Sequence, residues 1–345
     1  AIASAGYGWM PFLCFYYMAL GVAGVDVLIP NKPDSFKAST TGSNLSVALA
    51  LVHLCLFPVG VYAIAGHTGL HPIEQITLLI CIGMIFGQVS NSFAHELIHK
   101  NSRPLRFLGK LVYSSLLFGH QTTAHPALHH RYVATPRDPV TARYNEGFHR
   151  FYPRDLKQCL ISAFRAEKDM LARKNLPWTD LSNPFFKYWA LQGAMLVLAF
   201  LLGGWSGFGL FLMQAGVAIW QLELVNYVEH YGLTRKHLGD GKYEHVQPRH
   251  SWNAPFKASN WLLINLQRHS DHHYKPDRRF PLLQNYTEAD APQLPYGYPV
   301  MTMAAMVPPL WRKVMNKRVK RWREMYYPEI TDWTAYNKAR NPMPR

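Results

Sequence analysis

The chain has 345 residues, 49% of them hydrophobic, with 36 Lys and Arg against 21 Asp and Glu. That basic excess admits nucleic acid, an anionic membrane surface or an acidic partner, but no nucleic-acid-binding motif is present. The four cysteines, Cys14, Cys55, Cys81 and Cys159, show no CxxC spacing; they read as small buried hydrophobes, which excludes a zinc ribbon or a disulfide framework.

A bilayer core takes about 20 apolar residues of helix. The first run that meets this covers residues 7–28, and two more follow at 44–65 and 75–94. No charged residue lies between Lys187 and Glu223. That stretch is long enough to cross at 188–203, turn at the glycine-rich 203–207, and cross again at 208–226. Charge placement supports these spans independently. Residues 1–31, 38–99 and 188–234 contain no Lys or Arg. If the spans alternate, the three basic blocks 32–37, 100–187 and 235–345 share one side, and the positive-inside rule makes that side the cytoplasm.

The apolar stretch 105–118 is shorter and carries Arg106 and Lys110. It is expected to lie at the membrane surface or dip into it, because a full crossing would put His95 and His125 on opposite sides. The expected fold is thus an all-α membrane bundle, a single domain over 1–345. Its cap is formed by about 95–187 and 231–345. The chain begins at Ala1 with no basic region ahead of the first apolar run, so a leader or an upstream span is expected to be missing from this numbering.

Histidine is the anomaly, with 17 in the chain, many of them grouped. His95 and His99 stand at i and i+4, on one helix face, where both imidazoles can reach one metal. His125, His129 and His130 form a second group, His230 a third, and His269, His272 and His273 a fourth with i, i+3, i+4 spacing. One zinc ion takes about four ligands, so nine grouped imidazoles suit two metals. Imidazole serves Fe, Cu, Ni and Zn alike, and ligand type alone does not name the metal. His95-Glu96-Leu97-Ile98-His99 is formally the HExxH protease signature, but that reading leaves the other groups unexplained. Six histidines, His53, His67, His71, His149, His237 and His245, read as ordinary hydrogen-bonded residues, and His120 and His250 are left open. Glu96, Asp138, Glu229 and Asp271 sit beside the groups; each is a candidate to accept the second N–H of a ligating imidazole, or is simply a solvated charge or helix cap.

These residues resemble the integral-membrane alkane monooxygenases, the rubredoxin-dependent omega-hydroxylases. The resemblance rests on His95–Lys100, on the His129-His130 pair followed by Val133-Ala134-Thr135-Pro136-Arg137-Asp138-Pro139, and on Asn226–Leu233. It extends through His250-Ser251-Trp252-Asn253 and Leu266–His273 to Gly297-Tyr298-Pro299 and Pro308-Pro309-Leu310-Trp311. It implies six spans, of which five are visible here. It also implies two non-haem irons held by the nine histidines, O2 as co-substrate, and electrons from a rubredoxin that is itself served by a rubredoxin reductase. The implied site is the bacterial cytoplasmic (inner) membrane, with the active centre toward the cytoplasm. Ala124 and Leu128 stand where the family usually has Glu and Gly, which leaves the subgroup and substrate open. The xylene-type monooxygenases share the histidine framework.

An alkane has no polar handle, so its binding must come from burying CH₂ groups at roughly 0.8 kcal/mol each. An unactivated C–H bond is closed to acid–base chemistry and calls for a redox metal centre. The favoured expectation is hydroxylation of a terminal alkane carbon. The alternatives are hydroxylation of an aromatic side-chain methyl group, fatty-acyl desaturation on the same framework, and metal transport or binding without catalysis. An acidic rubredoxin is expected to dock on the basic cap, over the His269–His273 side.

Overall fold

The structure, a computed structural model, describes residues 8–29 and 42–338. The basic block 32–37, the first residue of the span expected at 7–28, and both chain ends lie outside these residues. Among the described residues, four helices are long and apolar enough to cross a membrane: α1 (Met10–Leu28), α2 (Asn44–His67), α3 (Pro72–Ile98) and a 47-residue helix, Pro184–His230. Between the third and the last of these come α4 (Arg103–Ser115), the helical run α5 (121–132) and α6 (Phe148–Ala172). Numbered in chain order, Pro184–His230 is α7. After it come α8 (Lys257–Leu262), α9 (His269–Tyr274), α10 (Tyr298–Ala305) and α11 (Pro308–Tyr326).

As a straight rod α7 would be about 70 Å long, more than twice the thickness of a bilayer core. It is not straight. Gly203 (φ −149°, ψ 16°) and Gly204 (φ 58°, ψ −151°) leave the helical region, and the second of these conformations is open only to glycine. Residues eight apart in a straight helix stand about 12 Å apart, yet a Cβ on Gly207 would lie 2.7 Å from the Ala199 carbonyl oxygen. The element is therefore a helical hairpin, bent back on itself at Gly203-Gly204, where the sequence predicts a turn between two apolar runs.

The ends of the spans sort into two sets. A Cβ on Gly203 would strike the Ala65 side chain, so the turn in α7 sits against the end of α2, away from the histidines. At the opposite end, Asp26 of α1 accepts hydrogen bonds from the backbone N–H and the hydroxyl of Ser259 in α8. Tyr188, near the start of α7, shares a hydrogen bond of 2.8 Å with Thr123 in α5. Side chains such as Leu201 and Trp205, 74% and 77% exposed, are turned outward for lipid. The cap has its own aromatic core, in which Trp252, Trp311, Phe148 and Tyr227 are buried.

At 13 residues α4 is about 20 Å long, shorter than a bilayer core. It lies against the end of α3, where a Cβ on Gly109 would come within 3.0 Å of the Ala94 carbonyl oxygen. Two details differ from expectation. A small antiparallel pair, His237–Gly239 with Lys242–Tyr243, interrupts the otherwise helical cap. Cys14 and Cys81 are joined as a disulfide between α1 and α3, with Cα atoms 6.5 Å apart, whereas Cys55 and Cys159 are free. Two cysteines read as buried hydrophobes are thus a pair, because the packing of α1 on α3 brings together positions that lie 67 residues apart.

Candidate metal centre

The nine grouped histidines converge at the cap-side end of the spans and divide into two adjoining sets. His95, His99, His125, His130 and His272 form one, and His129, His230, His269 and His273 the other; within each set one ring nitrogen from every histidine lies within 4.8 Å of the others. The partition follows from local helix geometry. His95 and His99 share one face at the end of α3. In α9, His269 and His273 are i and i+4 and face one set, while His272, turned about 100° away from its neighbour, faces the other.

The pair His129-His130 is split by a different device. Residues His125–His129 form a wide π turn. Pro126, at its start, has no N–H to close an ordinary α turn, and the wider turn aligns i with i+5 instead of i+4. His125 and His130 therefore meet, Nε2 to Nε2, at 2.9 Å, while His129 is released to the other set.

The distances suit shared ions. Nitrogens bound at about 2.1 Å to one ion stand about 3.0–3.4 Å apart at ordinary coordination angles. Here His272 and His130 meet at 2.9 Å, His269 and His230 at 3.0 Å, His273 and His269 at 2.9 Å, and His129 and His273 at 3.2 Å, each Nε2 to Nε2. The Nε2 atoms of His95 and His99 are buried with no hydrogen-bond partner. Bare, inward-facing nitrogens of this kind fit a metal and do not fit a polar core, in which buried donors and acceptors are paired.

Burial also sets the protonation state. It holds His99 down to about 3, and His125, His130, His269, His272 and His273 well below the ordinary 6.5, with neighbouring imidazoles adding to the effect. The rings are neutral at physiological pH, which is the ligating form.

The four carboxylates take different places. His129 donates through Nδ1 to Asp138 Oδ2 at 2.9 Å, and the Thr141 hydroxyl donates to the same oxygen at 2.7 Å. Glu229 accepts from Tyr298 and lies 3.3 Å from His269. Its approach is to Nε2, the nitrogen turned toward the other rings, so it stands at the rim of the cage and not behind a ligand. Glu96 is engaged by Lys100. Asp271 receives Arg278 on both oxygens at 2.6 Å, with the Gln284 N–H and the Tyr286 hydroxyl. These last two carboxylates serve the polypeptide around the site; neither meets an imidazole.

None of the six histidines read as ordinary residues joins the two sets. His53 bonds Ser90 and Ser115, His67 stacks on Tyr62, and His149 bonds the Met306 carbonyl. His250, left open by sequence, meets Glu244 and Tyr327 in the cap. His120 is half-buried beside Phe118, outside the cage.

Comparison with known proteins gives a consistent result. A family model described as fatty acid desaturase matches residues 73–305. Alkane 1-monooxygenase 2 of Alcanivorax borkumensis is 34% identical, over 92% of this chain and 84% of its own. Alkane 1-monooxygenase 2 of Pseudomonas aeruginosa is 35% identical, over 84% and 76%. The hydroxylase component of xylene/toluene monooxygenase from Pseudomonas putida is 27% identical, over 90% and 85%. Helical spans, a histidine cage and identity sustained through both halves of the chain lead to one conclusion: the chain belongs to the alkane 1-monooxygenases, within the broader fatty acid desaturase family.

Proposed function

We propose that this chain is a membrane-bound non-haem iron monooxygenase that converts the terminal carbon of an alkane to a primary alcohol with O2. The observation that carries the reading is the pair of adjoining histidine sets, five and four rings, at one end of an apolar bundle. The reading assigns one iron to each set. It treats 1–345 as one domain, since both halves of the chain contribute rings to each set. The bound metals would supply the oxygen activation and C–H cleavage that amino-acid side chains cannot.

The protein's own contributions are positional. Buried imidazoles stay neutral and so remain available as ligands. Asp138 fixes the tautomer of His129, leaving Nε2 to face inward. The spans offer the alkane an apolar environment, in which each buried CH₂ contributes roughly 0.8 kcal/mol.

Rubredoxin is the proposed electron donor. A cap cavity lined by Arg137, Arg143, Arg154 and Arg165 adjoins a second one whose wall includes Asp138, the partner of His129. Such a surface suits an acidic carrier and shifts the proposed docking from the His269–His273 side to the Asp138 side. The distribution of Lys and Arg supports placing the cap in the cytoplasm and the spans in the bacterial inner membrane.

The test is metal analysis of the purified protein, followed by product identification with reduced rubredoxin, O2 and a panel of n-alkanes and xylenes. Two irons per chain and 1-alkanols are expected. One tetrahedral zinc, or oxidation of aromatic methyl groups alone, would overturn the reading.

A further inference from the structure

A second polar cluster lies next to the cage and has no part in it. Asp155 of α6 and Glu223 of α7 are 0% and 1% exposed, and their carboxyl groups stand within hydrogen-bonding reach of each other. Glu223 is the first charged residue after Lys187 along the hairpin. Two buried carboxylates in contact repel, and neither can donate to the other; one shared proton removes the repulsion and makes the bond.

The surroundings hold room for that one proton. The Cys159 thiol donates to Asp155 Oδ1 at 3.3 Å and the Asn226 amide donates to Glu223 Oε2 at 3.1 Å. Asp155 Oδ2 has no other donor. The nearest cation, Arg154, is turned outward to Glu146, at 2.8 and 2.9 Å, and to the Pro139 carbonyl. Asp138, Tyr113 and Tyr152 are further titratable groups close to the pair. Burial, the largest influence on Asp155, raises its affinity for the proton.

The placement has a direction. On α6, Arg154 and Gln158 line the cap cavity that also contains Asp138, while Asp155 and Cys159 face inward from the same turns. On α7, Glu223, Asn226 and His230 follow one another at i, i+3 and i+7, along one helix face that ends in the cage. Hydroxylation, R–H + O2 + 2 e⁻ + 2 H⁺ → R–OH + H2O, takes up two protons per turnover. The electrons come from the donor protein, and the protons come from solvent, from which a buried centre is separated by protein.

We propose that Asp155 and Glu223 share one proton and act as positioning residues that pass protons from the cap cavity toward the His230 side of the cage. The inference rests on the hydroxylase reading above. In each step a proton leaves the pair toward the cage, and another from solvent in the cap cavity replaces it, so the pair is unchanged over a cycle.

The test uses the metal-loaded full-length protein and its Asp155→Asn, Glu223→Gln and double variants. Each single variant is expected to keep its iron and its KM for alkane while kcat falls by about a hundredfold, the lower end of proton-transfer contributions, with a larger solvent deuterium isotope effect on kcat. Infrared spectroscopy without turnover supplies the second readout. The wild type should show a buried carboxylic C=O band that shifts in D2O and is absent from the double variant. Unchanged kcat in both single variants, or no such band in the wild type, overturns the proposal. A wild type that shows the band but makes no alcohol overturns the hydroxylase reading and leaves the shared proton standing.

Discussion

His129 and His273, 144 residues apart in the chain, face each other Nε2 to Nε2 at 3.2 Å. Neither ring can be withdrawn without opening a set that both halves of the protein build. His230 is the sharpest probe, since it ends α7 with no neighbouring histidine to replace it. His230→Ala and His125→Ala should insert normally and lose hydroxylation along with iron, whereas His67→Ala and His149→Ala should keep both. Full iron and near wild-type rates in His230→Ala would remove that residue from the ligand set.

Asp138 holds His129 from behind through Nδ1. Replacement of such partners lowers metal affinity or activity about 10–100-fold. Asp138→Ala should fall in that range, with the loss visible in an iron titration. An affinity equal to the wild type would show that the tautomer of His129 is set without this carboxylate.

Much of this arrangement is legible in sequence, because span length, charge exclusion and i, i+4 spacing are local properties. The nine cage histidines and the hairpin at Gly203-Gly204 belong to that class. The division of the rings is not legible in the same way. It depends on a π turn whose only sequence signal is Pro126 directly after His125. Asp138 and Asp271 look equivalent on paper, each close to a histidine, yet one meets a ring and the other is held by Arg278. That choice is made by the loop 278–286, which sequence spacing does not locate. Glu223 is conspicuous as the acid that ends an uncharged stretch, but its partner Asp155 comes from a different helix.

The two ends of the bundle can be told apart chemically. The turn between α2 and α3 and the turn within α7 lie together, opposite the cage. Reporter fusions near Gly69 should therefore read as outside, and fusions after residues 37, 174 and 345 as cytoplasm. A cytoplasmic signal at Gly69 would invert the orientation. An outside signal at residue 174 would require α4 to cross, which its length of 13 residues opposes.

Arg137, Arg143, Arg154 and Arg165 line one cap cavity. Attraction between exposed charges is screened within about 10 Å at 0.1 M salt. The apparent KM for rubredoxin should rise with ionic strength, and Arg165→Glu should raise it further while leaving the KM for alkane unchanged. A donor KM independent of salt would place docking elsewhere.

Acid should destabilise the fold through histidines outside the cage as well as within it. His120 is half-buried, its ring lies 4.5 Å from Phe118, and its buried Nε2 has no hydrogen-bond partner. Burial holds it down to about 4, against an ordinary 6.5. Above pH 6.5 the ring is neutral in both folded and unfolded chains and contributes no pH dependence. Between 6.5 and 4 the unfolded chain binds the proton that the folded one refuses, so stability falls as pH falls through that window. The melting temperature of the detergent-solubilised protein should drop between pH 7.5 and 5. His120→Leu should drop less, because protonation of the cage rings is common to both proteins and cancels in the comparison. Identical slopes would mean that the ring of His120 is reached by protons without unfolding.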